Sequence, residues 1–284
     1  MIGVEKLQRA LHVIGTSQYV DNGVGALSCN LISPSGGGKT ELILSRLPVG
    51  ARVESDVTYM TLIHLMKEPK PPTYLVVPDL NMVISHKPAV AELTMAMLLA
   101  LTGEGVAELN PGLQNEVKIR IARAKRTGLR MGLITGITPQ MFASKRGKWR
   151  STGLLRRLIP LNYCYTKRTQ NKIQHAIANE TGVDQLHYGH AKMKAIKRQR
   201  VEIPNGIADW IRELSEQVTL QLQWRGKDRS IVHAIDYPFD PHKALRQIAR
   251  SAAALHGRSV VEHDDLPDVE NIAAFMRLDH PVEL

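Results

Sequence analysis

Cysteine is scarce in this chain: Cys29 and Cys164 are the only two among 284 residues. Their spacing suits neither a disulfide framework nor a metal-ligand set. Disulfide-stapled secreted scaffolds are therefore excluded, and a reducing compartment, the cytoplasm, is the expectation. Cys29 lies in an apolar run and reads as a small core residue. No stretch of about 18 apolar residues occurs, which excludes a membrane-spanning helix. The segment Gly3 to Ile14 is mixed and amphipathic, unlike the apolar core of a signal peptide. Internal repeats and low-complexity segments are missing too. Acidic residues are fewer than basic ones, 27 against 37, for a net charge of +10. That imbalance favours a polyanionic partner such as nucleic acid, through counterion release; the alternative is a merely solvated basic surface.

What the chain does hold is an ordinary globular composition, 43% hydrophobic and 23% charged. Its length allows one large α/β domain and a small satellite. The stretch that organises the rest is Ser33-Pro34-Ser35-Gly36-Gly37-Gly38-Lys39-Thr40. An apolar run, Ala26 to Ile32, precedes it as a buried strand, and Glu41 to Leu47 opens a helix after it. Strand, glycine-rich turn, Lys-Thr and helix make a phosphate cradle. The glycines let backbone N–H groups turn inward, and the helix start adds partial positive charge. Lys39 supplies a mobile full charge, and the Thr40 hydroxyl can ligate the Mg2+ that travels with a nucleoside triphosphate. Ser33 stands where the usual pattern G-x-x-x-x-G-K-[ST] has its first glycine.

A short amphipathic helix is expected over 4–14, and a second strand over 52–54 ends at Ser55-Asp56, either of which could cap a helix from Val57 to Met66. Tyr74 to Val77 is an apolar strand closed by Pro78-Asp79. A carboxylate at the end of such a strand suits a magnesium shell, so Asp79 is the candidate metal residue, with a plain turn role as the alternative. Leu80 and Asn81 follow it, where a water-positioning glutamate is often found. Glu54, Glu92 or Glu104 could supply that carboxylate, or hydrolysis is slow. Ala89 to Leu101 reads as an apolar helix.

Val117 to Arg123 alternates apolar and basic residues, and Lys125 to Gly128 turns the chain back into a strand from Leu129 to Thr135. This basic hairpin is one candidate nucleic-acid contact. Thr135 is the first choice for a residue sensing the terminal phosphate, with Thr138 second. The run Lys145 to Arg150, with Trp149 inside it, reads as a cationic loop able to stack a base. Arg156 and Arg157 precede a strand over 161–165, where an arginine can reach a neighbouring subunit's phosphate. Beyond Lys167 the texture turns helical without a strand signal, with amphipathic helices over 207–223, 242–256 and 269–278 and a basic stretch from Lys192 to Arg200.

Five segments in this order resemble an AAA+ ATPase. Ser33–Thr40 is similar to Walker A, Tyr74–Asp79 to Walker B and Leu133–Thr135 to sensor 1. Leu154–Leu158 resembles the arginine-finger segment of the clade holding the minichromosome maintenance helicases. Lys243–Leu266 resembles the helical lid. The resemblance implies an α/β P-loop NTPase, a three-layer sandwich with a mainly parallel sheet plus a small all-helical lid. Residues 1–20 would be an N-terminal helix, 21–168 the nucleotide-binding core and 169–284 the lid. It implies ATP and Mg2+, with Ser33 to Thr40, Glu41 and Lys243 at the nucleotide, Thr40 and Asp79 at the metal, and Lys39, Asp79, Thr135 and Arg157 in catalysis. It also implies a ring or helical oligomer with a shared site.

Three readings follow. The first is an ATP-driven DNA-processing protein: a helicase, a helicase loader or a replication or transposition regulator. The second is a protein-remodelling ATPase of the MoxR-like kind. The third is a nucleotide-gated DNA-binding module that scarcely hydrolyses ATP.

Overall fold

The computed structural model describes residues 3–22, 25–103, 105, 129–179, 193–226 and 228–284. The first strand and tip of the expected basic hairpin, Val117 to Gly128, lie outside them, as do Glu104 and Lys192.

A six-stranded sheet forms the centre. Its strands are β1 (Ser28–Ile32), β2 (Ala51–Val53), β3 (Tyr74–Val77), β4 (Gly132–Ile137), β5 (Leu158–Cys164) and β8 (Val282–Glu283). They lie in the order β2-β3-β4-β1-β5-β8, and every neighbouring pair is parallel. Parallel strands buried on both faces need continuous apolar runs, and the sequence supplies them in Tyr74-Leu75-Val76-Val77 and Leu133-Ile134.

Side-chain alternation divides the strands between two cores. Cys29, Leu31, Tyr74, Val76, Ile134 and Leu161 face the first. Leu75, Val77, Leu133, Ile137 and Leu158 face the second. The first core is covered by α1 (Glu5–Thr16), α2 (Lys39–Leu44) and the C-terminal helices α8 (Asn205–Gln221), α9 (Phe239–Leu255) and α10 (Leu266–Phe275). The second is covered by α3 (Tyr59–Lys67), α4 (Leu80–Ser85), α5 (Pro88–Thr102) and α6 (Pro139–Ser151). A further helix, α7 (Lys167–Ala178), leaves the end of β5. The result is a three-layer α/β arrangement. No helix among the described residues is long and apolar enough to cross a membrane.

Four local expectations are corrected. The cap of α3 is Thr58, not Ser55 or Asp56: its extended backbone turns the hydroxyl onto the Thr61 N–H at 3.3 Å, and Thr61 reciprocates. Lys145 to Arg150 is not a loop but the last turns of α6. Helical spacing puts Trp149 seven residues after Phe142 on the buried face, ring edge to ring face at 5.8 Å, where no base can stack on it. The region beyond residue 168 is not all helical: β6 (Gln223–Arg225) and β7 (Ile231–His233) form an antiparallel hairpin. It was missed because each strand has only three residues. Finally, the chain returns to the main sheet, where β8 pairs with β5.

Candidate functional site

The cradle sits at the carboxyl end of β1, and the strand order explains how its partners reach it. β4 lies between β1 and β3, in register so that Asn30, Thr135 and Val77 form one row. Pro78 and Asp79 leave β3 at the same edge at which Ser33 leaves β1. Ligands of open parallel sheets collect at this edge.

Gly36 and Gly38 have φ of 75° and 68°, a left-handed backbone that side chains disfavour, and Gly38 is the residue from which α2 starts. Ser33 is buried, and its side chain fills the space that a Cβ on Gly37 would need. The serine at the first glycine position is thus accommodated by a glycine four residues on. The Gly37 carbonyl accepts from the buried Tyr163 hydroxyl at 2.8 Å, which fixes the loop to the end of β5. Since α2 has only six residues, its dipole is small. Lys39 supplies the full positive charge at the loop.

Lys39 Nζ donates to the Ser33 and Pro34 carbonyls at 2.8 and 2.9 Å. Burial lowers its pKa, while the carboxylates of Asp79 and Glu41 oppose that shift. Asp79 and Glu41 therefore both lie within electrostatic reach of the lysine. Asp79 is exposed and caps α4, one carboxylate oxygen accepting the Asn81 N–H at 2.9 Å. The turn role expected as the alternative for Asp79 is thus present. Thr40 is exposed on the first turn of α2, beside Lys39.

Gly136 holds these parts together. A Cβ there would stand 2.8 Å from the Pro78 carbonyl oxygen and 3.4 Å from Lys39 Cδ. The carbonyl is backbone and cannot swing aside. Gly136→Ala should therefore lower stability by about 1–3 kcal/mol, read as the midpoint of a urea transition; an unshifted midpoint would show that the edge yields.

Thr135 lies deeper than the expectation placed it. It is wholly buried in the row beneath the cradle, and its hydroxyl has no hydrogen-bond partner, nor has the Asn30 side-chain oxygen in the same row. Thr138 is at the edge itself, where its hydroxyl accepts the Met141 N–H as the cap of α6.

Two residues are not brought to the cradle. Arg157 precedes β5, at the opposite end of the sheet. Its Nη1 donates to the Gly153 carbonyl at 3.1 Å, and its guanidinium lies over Gly103. Arg156 beside it is turned outward, 54% exposed, 3.9 Å from Asp240. Lys243 is exposed on α9. That helix starts beside Arg156, and its Gln247 reaches the Ser17 carbonyl at 3.4 Å; Ser17 in turn accepts from Leu27 just ahead of β1. Lys243 thus belongs to the amino-terminal edge, far from Lys39.

The expected carboxylate bases are also engaged. Glu54 pairs with Arg52 at 3.1 Å and Glu92 with Lys148 at 2.7 Å. Tyr163, Gly136 and Asn30 were missed by sequence reasoning. Only the alternation of Leu161, Tyr163 and Tyr165, which runs one residue past the end of β5, carries a signal for the first.

Comparison with protein-family models finds no match, and no curated protein is significantly similar to the chain.

Proposed function

We propose that this protein binds ATP with Mg2+ on the Ser33–Thr40 loop and couples its turnover to nucleic acid. One observation carries the reading: Lys39 and Asp79, 40 residues apart in sequence, sit at one edge of a parallel sheet with Gly136 packed between their strands. The residues fit a metal-bound triphosphate. Thr40 is exposed, and Asp79 commits one carboxylate oxygen to capping, leaving the other for a metal or its water. Magnesium, when bound, would neutralise charge on the phosphate oxygens. Lys39 and the loop amides hold and orient those oxygens. Tyr163 keeps the loop in place beneath them.

Arg156 and Arg157 lie at the other end of the sheet from their own cradle, so either of them would reach phosphate only on a neighbouring copy. This supports a shared site in a ring or helical oligomer. Leu80 is buried where a water-positioning glutamate is often found, Asn81 is bonded to Asp79 through its backbone, and Glu54 and Glu92 are paired; of the described carboxylates, Glu41 shares the reach of Lys39 with Asp79. That favours slow turnover, and it keeps the nucleotide-gated DNA-binding module as the second reading.

The deciding experiment is phosphate release from Mg-ATP. Asp79→Asn should lose about ten-fold or more of the turnover while keeping ATP affinity within a few-fold. Arg157→Ala, inactive alone, should regain activity when mixed with Asp79→Asn. Unchanged turnover in Asp79→Asn would overturn the catalytic reading, and no recovery in mixtures would argue against a shared site.

A further inference from the structure

The start of α9 carries a feature that the cradle does not use. Tyr237 and Phe239 are 66% and 65% exposed, with near-parallel rings 5.7 Å apart and 11° between planes. Phe239 opens α9, and from it a cationic stripe runs down one face: Lys243, Arg246 and Arg250 follow at i+4, i+7 and i+11. At 1.5 Å per residue the line is roughly 16 Å long.

Three nearby acids are already engaged. Asp236 pairs with Arg150 at 2.6 Å, Asp240 with Arg156 at 3.9 Å and Asp209 with Arg212 at 3.5 Å. Among the described residues, Arg246, Arg250 and the neighbouring Arg200 have no ion pair. The Arg250 Nε and the His242 Nε2 are buried without a hydrogen-bond partner. Burial and the charges of Arg246 and Arg200 push the Arg250 pKa down, as burial, Arg246 and Arg212 do for His242. Unneutralised cations gathered on one face repel each other, and a fold gains nothing from them unless an anion arrives.

We propose that Tyr237 and Phe239 with the Arg246–Arg250 stripe form a binding surface for single-stranded nucleic acid, bases stacking on the aromatic pair and phosphates lying along the arginines. Arginine suits phosphate through its forked donors, and exposed rings suit unpaired bases, which an acidic peptide does not have. The surface rests on the nucleic-acid part of the functional reading but not on the cradle, which lies at the opposite edge of the sheet.

The test is fluorescence anisotropy with an oligothymidylate, its duplex and a poly-aspartate peptide, over a salt series, using the full chain. The wild-type protein should prefer the single strand. Tyr237→Ala with Phe239→Ala should weaken binding by roughly ten-fold or more. Arg246→Gln with Arg250→Gln should reduce the salt slope by about 1.4, or about 0.7 per lost contact. Both pairs should leave the melting temperature unchanged or raised and ATP binding intact. Wild-type binding that neither pair weakens would overturn this surface while leaving the nucleic-acid reading in place. No wild-type binding, with or without ATP, would remove that reading as well. Equal binding of duplex or of poly-aspartate, insensitive to the aromatic pair, would also overturn the single-strand assignment.

Discussion

Replacing Lys39 with alanine should lower ATP affinity on the order of 100-fold, the loss of two charge-assisted hydrogen bonds of about 1.5 kcal/mol each. The side chain is half-buried and already donates to two loop carbonyls, Ser33 and Pro34. It is therefore a desolvated cation held by neutral acceptors, and a phosphate oxygen is a better partner than either. The fold should not suffer. Burial works against the charged form of Lys39, so removing it takes away an unfavourable group as well as its bonds. A melting temperature near that of the parent, with ATP binding lost in calorimetry, is the expected pair of results. Unchanged ATP affinity would end the phosphate-cradle reading, whatever the loop's shape.

Asp265→Ala should produce the largest loss of stability. Asp265 is fully buried, accepts from His256 Nδ1 at 2.7 Å and from the Glu262 N–H at 2.9 Å, and pairs with Arg258 at 3.1 Å. His256 Nε2 faces the Arg9 guanidinium at 2.8 Å, and Arg9 holds Asp268 at 2.6 Å. One carboxylate thereby ties α1, α9 and α10 together. Its removal takes the acceptor from the Glu262 N–H and from His256 Nδ1, while Arg258 keeps Glu262, a loss of about 3 kcal/mol. At about 2–4 °C per kcal/mol for a chain of this size, the melting temperature should fall by roughly 10 °C. Asp265→Asn keeps the shape without the charge and should lie between. A fall of only a degree or two in the alanine variant would mean that Arg258 finds enough support in Glu262 and solvent.

The parts of this molecule that were legible in the sequence are those set by local pattern. The cradle announced itself through glycines between an apolar run and a helix start, and Asp79 through its place after Tyr74–Val77. Both are properties of a few consecutive residues. The strand order is not. That β4 inserts between β1 and β3, putting Gly136 against Pro78 and Lys39, follows from which faces bury against which, and no short window holds that information. Lys243 went astray for the same reason. Its helix was legible, but the direction in which α9 lies on α1 depends on Gln247 reaching Ser17 and on the Arg9–His256 contact, partners more than 200 residues away. The cationic run around Trp149 reads as a loop, whereas the seven-residue Phe142–Trp149 spacing sets both rings on one buried helical face.

The first hydrophobic core runs without a break from the sheet face through α1 into α8, α9 and α10. A hinge between the sheet and these helices would have to expose Leu7, Ile14, Leu245 and Ile248 to water. At about 1.5–3 kcal/mol for each such side chain, a wide swing of the helical half away from the sheet is costly. Relative motion of the two halves is therefore confined to a small sliding of packed helices, a shear rather than a hinge.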